Sequence, residues 1–90
     1  MPMKVAVYDT YVRKIGGSRM HFDVVVPDGT PQDKALEFAN RYLESAGQGG
    51  QPCGVHECQF CHTEPASEEM ENSIRSNGYH IIEMEGCREA

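Results

Sequence analysis

The stretch Lys4–Pro27, KVAVYDTYVRKIGGSRMHFDVVVP, decides how the rest of the chain must be arranged. Its two arms are rich in Val, Tyr, Thr and Phe, residues that fit a pleated, half-buried surface. Between them Gly16-Gly17 can take the positive φ angles of a two-residue turn, so the stretch is expected to form a β-hairpin. With that turn, Tyr11 stands opposite Phe22, Asp9 opposite Val24 and Val7 opposite Val26. One face then carries Val5, Val7, Asp9, Tyr11, Met20, Phe22, Val24 and Val26, apolar apart from Asp9. The other carries Tyr8, Thr10, Val12, His21, Asp23 and Val25. A one-residue slip would exchange these sets, so the register is a consequential expectation.

Beyond the hairpin, Thr30 and Pro31 suit a helix start and Gly47 a helix end. Between them Ala35, Leu36, Phe38, Ala39, Tyr42, Leu43 and Ala46 recur at helical spacing, with Lys34, Glu37, Arg41 and Glu44 outside. GQGGQP, positions 47–52, breaks all periodicity, and a short strand is expected around Val55 to Phe60. A weaker helix runs from Pro65 or Ser67 to Asn77, with Met70 and Ile74 as its sizeable apolar pair and Gly78 after it. Glu64, Glu68, Glu69 and Glu71 suit the first turn of that helix, where negative charge meets the dipole. YHIIEME, positions 79–85, reads as the last strand. The expected fold is α+β: a single small domain over residues 1–90 in the order ββαβαβ, a mixed four-stranded sheet with both helices packed on one face. The first helix is expected on the hairpin face that carries Val5, Val7, Phe22 and Val24.

Fourteen acidic against eight basic side chains give a formal charge of −6 in 90 residues. No basic patch is present, which argues against nucleic acid as a partner. The apolar runs are too short to cross a bilayer. The N-terminus lacks the pattern of a signal peptide. A cytoplasmic setting is the expectation, with the cysteines reduced and a protein partner left open.

The second informative stretch is PCGVHECQFCHTE, positions 52–64, which holds three of the four cysteines and two of the four histidines. Four readings of Cys58-x2-Cys61-His62 compete. Zinc accepts thiolates and imidazoles in a tetrahedral shell. The better ligand set is Cys58, Cys61 and His62, with Cys87 brought alongside by the last strand after Gly86, whose lack of a side chain permits close approach. That set requires the chain to turn after Phe60. A thiol redox pair at Cys58 and Cys61 is the alternative, although no helix opens at Cys61 as such a site favours. The letters also match covalent haem attachment, which the lack of an export signal disfavours. In the plain reading Cys58 and Phe60 point into the core, and Cys61 and His62 end the strand.

Three further polar residues stand out. Asp9 among apolar neighbours must find hydrogen bonds or raise its pKa, the environment general acids use, or it simply accepts bonds at a strand end. For His21 and Asp23, cross-strand pairing on a solvent face would need no function. No phosphate loop, nucleophile elbow or paired-carboxylate motif appears, so a small binding or interaction module is favoured over an enzyme.

YDTYV, MHFDV and ECQFCH, in that order and with the terminal MEGC, make the chain similar to a small bacterial family of unknown function. The resemblance runs from Met3 to Cys87 and implies a compact α+β fold. It places Tyr8, Asp9, Tyr11, His21, Phe22, Asp23, Glu57, Cys58, Cys61, His62 and Cys87 inside the shared pattern, and leaves Cys53 and His56 outside it. It implies no activity, substrate or cofactor.

Overall fold

The computed structural model describes residues 3–14, 16–48, 53–54 and 56–87. Ile15 of the hairpin turn, residues 49–52 of the glycine-rich connection and Val55 of the expected third strand lie outside them. The elements run β1 (Lys4–Arg13), β2 (Arg19–Pro27), α1 (Gln32–Ser45), β3 (Cys58–Pro65), α2 (Glu68–Asn77) and β4 (His80–Glu85). The order is the expected ββαβαβ. The sheet, however, is antiparallel throughout, in the order β3-β1-β2-β4, and not mixed. β2 and β3 do run in the same direction, but β1 lies between them, so no parallel pair forms.

The hairpin differs from expectation by one residue. Lys14 N donates to the Ser18 carbonyl at 2.7 Å and Gly17 N to the Lys14 carbonyl at 2.9 Å. Of Gly16 and Gly17, only Gly17 carries the left-handed conformation, at φ +99°. This is the three-residue loop closed by a left-handed glycine, not a two-residue turn. Asp9 therefore pairs with Asp23, Tyr11 with His21, Thr10 with Phe22 and Tyr8 with Val24. Every β1 side chain changes face relative to β2.

The consequence is a helix on each face. Ala6, Tyr8, Val12, Met20, Phe22, Val24 and Val26 pack with Ala35, Phe38, Ala39, Tyr42 and Leu43 of α1. Val5, Val7 and Val25 pack with Met70 and Ile74 of α2. Phe22 and Val24 thus meet α1 as expected, whereas Val5 and Val7 meet the other helix.

Strand direction sets what each helix covers. α1 joins the end of β2, at the Val5–Pro27 end of the sheet, to the start of β3 beside Thr10. Its 14 residues, about 21 Å of helix, therefore run along the strands and cover that face. α2 joins β3 to β4 at one end of the sheet and needs only to cross it. Its 10 residues span about 15 Å, close to the roughly 14 Å between the outer strands of four.

The helix ends are well specified. Pro31, and not Thr30, occupies the cap position of α1, without a side-chain cap bond. Gly47 closes that helix at φ +81°, with Gly47 N donating to the Glu44 carbonyl and Gln48 N to the Leu43 carbonyl. In α2 the Ser67 hydroxyl accepts from Met70 N at 3.2 Å, and Gly78 ends the helix at φ +92°. Glu68, Glu69 and Glu71 do lie in its first turn, but Glu64 lies in β3. No helix among the described residues is long and apolar enough to cross a membrane.

Candidate functional site

The face that α2 half covers has an uncovered end, and the corrected register fills it with polar groups. Asp9 on β1 sits directly across from Asp23 on β2, and Tyr11 across from His21. His21 Nε2 lies 3.7 Å from Asp9 Oδ1 and 3.7 Å from Asp23 Oδ1. One ligand atom from each of the three residues falls within 4.8 Å of the others. Tyr11 stacks on the His21 ring, with centroids 4.0 Å apart, and the Arg19 guanidinium lies 5.5 Å from the Tyr11 centroid. The imidazole is thereby held in plane from one side.

Burial makes this arrangement costly. The Asp23 side chain is 8% exposed, that of His21 19% and that of Asp9 38%. His21 Nε2 and Asp23 Oδ1 are buried without a hydrogen-bond partner. An unsatisfied buried polar atom costs about 1–3 kcal/mol. Asp23 is pushed up to about 7, first by burial and then by the hydrogen bond and charge of Asp9. Asp9 is held below the usual carboxylate range, chiefly by its hydrogen bond with Asp23. Two carboxylates this close disfavour each other's charge, and the penalty falls on Asp23, the more buried of the two.

Strand β3 brings further donors to the same face. Cys58 pairs with Thr10, Gln59 with Asp9 and Phe60 with Tyr8, but His62 pairs with Val7, so Cys61 is the extra residue of a bulge. Without the bulge, alternation would turn His62 toward α1. The Cys61 Sγ lies 3.1 Å from His62 Nδ1. His62 Nε2 lies 2.6 Å from Glu64 Oε1. The Cys61 thiol is held above its ordinary range by desolvation, then by the carboxylates of Asp9 and Asp23.

The expected set Cys58, Cys61, His62 and Cys87 is not brought to one point. The chain does not turn after Phe60; β3 continues to Pro65. Cys58 is fully buried in the α1-side core, which also holds the buried Cys53. Burial raises both thiols, that of Cys53 to about 12. Cys61 and His62 lie on the opposite face. Cys87, past the end of β4 and so at the other edge of the sheet, donates to the His21 carbonyl at 3.3 Å and packs against the α1-side core. Gly86 does permit a close backbone approach, since a Cβ there would stand 2.5 Å from the Arg19 carbonyl oxygen. Phe60 takes the face expected of it but is 56% exposed at the sheet edge, edge-on to Tyr8. His80 is half-buried on β4 with Nδ1 2.9 Å from the Ser73 hydroxyl of α2.

Glu64 was not singled out as a site residue by the sequence, because its position before a helix suggested a dipole partner. The signal available was the alternation His62-x-Glu64, which puts two polar side chains on one strand face. The conjunction of Asp9, His21 and Asp23 was hidden by the hairpin register alone.

These features define a small α+β domain with a polar patch on one half of one sheet face. The chain belongs to the DUF2024 family, a domain of unknown function, which it matches over residues 3–84. It is similar to protein NE1680 from Nitrosomonas europaea, a structural genomics target solved by NMR. The two are 46% identical, the match covers 96% of this chain and 100% of that one, and the TM-score is 0.83. No curated protein matches the chain.

Proposed function

We propose that the protein is a small, non-catalytic cytoplasmic binding module, and that its patch holds a divalent transition-metal ion on Asp9, His21 and Asp23. The observation that carries this reading is the convergence of three ligand atoms, two of them buried and unpartnered. Ligand atoms about 2.1 Å from a tetrahedral ion lie roughly 3.4 Å apart, and the two His21–carboxylate distances of 3.7 Å are a few tenths wider. Two carboxylates and an imidazole also match the donor types that such ions accept. Zinc, one of the four readings of the sequence, is thus kept as the ion class, with its site moved from Cys58, Cys61, His62 and Cys87 to the carboxylate–histidine group.

The thiol redox alternative loses support from position. Residues three apart in a strand face opposite ways, and Cys58 is sealed in the core.

The test is calorimetric titration of zinc into protein purified without a histidine tag, alongside metal analysis by mass spectrometry. The expected result is about one ion per chain for the unaltered protein, and none for His21→Ala or Asp23→Ala. Both variants should remain folded by circular dichroism, because neither residue belongs to the apolar clusters. Titration of the unaltered protein without heat or stoichiometric uptake would end the metal reading.

A further inference from the structure

We infer that Cys61, His62 and Glu64 form a proton relay that makes the Cys61 thiol a site of exchange with low-molecular-weight disulfides, ending in a mixed disulfide on the protein. The inference is independent of the metal reading and adds a covalent site on an edge strand of the sheet.

The backbone of β3 builds the relay. Neighbours in a regular strand face opposite ways, and residues two apart share a face. The shift between the Val7 and Tyr8 pairings leaves Cys61 unpaired and turns His62 onto the face that Cys61 already occupies. Three side chains of one strand then stand in line. Cys61 Sγ lies 3.1 Å from His62 Nδ1, and His62 Nε2 lies 2.6 Å from Glu64 Oε1. The thiol and the carboxylate meet different ring nitrogens, so the group passes a proton along a line instead of converging on one point.

A carboxylate can only accept a hydrogen bond, so the ring proton belongs on Nε2. Nδ1 then turns its lone pair to the sulfur and can take the thiol proton. A nucleophile, a base within hydrogen-bond reach and a third group that orients the base are the parts of an activated thiol. The other thiols are placed differently. Cys53 and Cys58 are buried, and Cys87 is half-buried and donates to the His21 carbonyl at 3.3 Å, whereas Cys61 is exposed. Desolvation, then the carboxylates of Asp9 and Asp23, keep the Cys61 thiol above its ordinary range, so at rest it carries its proton. Thiolate is the attacking species, and the base beside the sulfur is what supplies it.

In the exchange Cys61 Sγ attacks one sulfur of a disulfide R–S–S–R while its proton passes to His62 Nδ1. The Cys61–S–S–R bond forms, the old S–S bond breaks, and the departing R–S⁻ takes the proton back from the imidazolium. Cys61 is oxidised, the released thiol is the reduced half of the disulfide, and no proton is gained or lost. Glu64 stabilises the imidazolium while it exists.

The experiment is reaction of the reduced, tag-free protein with cystamine at about pH 7, where a free cysteine is only a few per cent thiolate. Cystamine is a cationic disulfide and suits the acidic face. A chelator is present throughout, and rates and sites are read by quenched mass spectrometry with peptide mapping. The expected result is one mixed disulfide per chain, on Cys61, formed well before any on Cys87. The small thiolate fraction of an unassisted cysteine bounds what the base adds, so His62→Gln should slow the Cys61 adduct about tenfold. Glu64 acts through His62. Glu64→Ala should therefore slow the adduct by less and, in nitrogen NMR spectra, shift the His62 ring away from the Nε2-protonated tautomer. All three residues lie outside the apolar clusters, so the variants should keep the circular dichroism of the unaltered protein. Adducts on Cys87 as fast as on Cys61, or a Cys61 rate unchanged in His62→Gln, would overturn the relay. An unchanged His62 tautomer in Glu64→Ala would remove Glu64 from it. Because the chelator keeps metal out, each of these results is separate from the fate of the metal reading.

Discussion

The two faces of the sheet are covered by helices that run in different directions. On one face α1 lies along the strands, and the core beneath it extends from Ala6 and Val26 to Val12 and Met20. On the other, α2 only crosses the sheet at one end, over Val5, Val7 and Val25. The remainder of that second face is where Asp9, Tyr11, His21 and Asp23 stand. The difference follows from connectivity. A helix joining strands that run the same way must travel the length of the sheet, whereas one joining antiparallel strands can stay at one end. Stability is thus concentrated under α1, and the polar chemistry occupies the ground α2 leaves open.

The contrast is tested most severely by removing one large side chain from each side. Phe22 is fully buried beneath α1, against the Tyr42 ring at 4.7 Å between centroids. Phe22→Ala should cost about 4 kcal/mol, enough to unfold much of a domain of this size. Met70, on α2, belongs to a much smaller cluster and is flexible enough for its neighbours to close round its absence. Met70→Ala should cost about 2 kcal/mol, at the low end for such a truncation. Urea denaturation of both variants would decide the matter. Equal losses would mean that the α2 side contributes as much to the core as the α1 side, contrary to the asymmetry drawn here.

Most of the fold was legible because local chemistry marked its boundaries. Gly47 and Gly78 take the positive φ values that end helices, and Ser67 caps α2 through its hydroxyl. The register was not legible, and the reason is physical. β1 contains Val5-Ala6-Val7-Tyr8 and β2 contains Val24-Val25-Val26, so both faces of the central strands are apolar there. A slip by one residue leaves each face about equally apolar, and alternation loses its power to choose. Only the turn distinguishes the two registers, and KIGGS accommodates either a two-residue or a three-residue loop. The error carried directly into the site, since it assigned Asp9 to one face and His21 and Asp23 to the other. Likewise, the Cys-x-x-Cys spacing suggested convergence that a continuous strand cannot provide. The bulge at Cys61 has no mark in the sequence, so the placing of His62 on the face of Asp9, His21 and Asp23 was not legible there.

The smallest expected effect concerns the open half of the second face, and its sign is the informative part. In the metal-free protein Asp23 is raised to about 7 by burial and by Asp9, against an ordinary carboxylate value of 3.8. A carboxyl group with a raised folded-state pKa favours the fold while it is protonated. Its contribution is therefore present below about pH 4, and it is lost as pH rises through about 7, because the folded state must then bury a charge that the unfolded chain leaves in water. Asp9 is shifted the other way, so its contribution is lost only as pH falls through the acid range below 3.8. Between about pH 5 and 8 the two do not cancel, and the metal-free protein should lose on the order of 1 kcal/mol. Asp23→Asn keeps the shape, removes the charge and should flatten that slope, leaving the variant at least as stable as the unaltered protein at pH 8. Thermal melts across this range in the presence of a chelator give the comparison. A slope unchanged by Asp23→Asn would show that the Asp9–Asp23 pair is not where the second face meets its electrostatic cost, and the division between a stabilising face and a binding face would have to be redrawn.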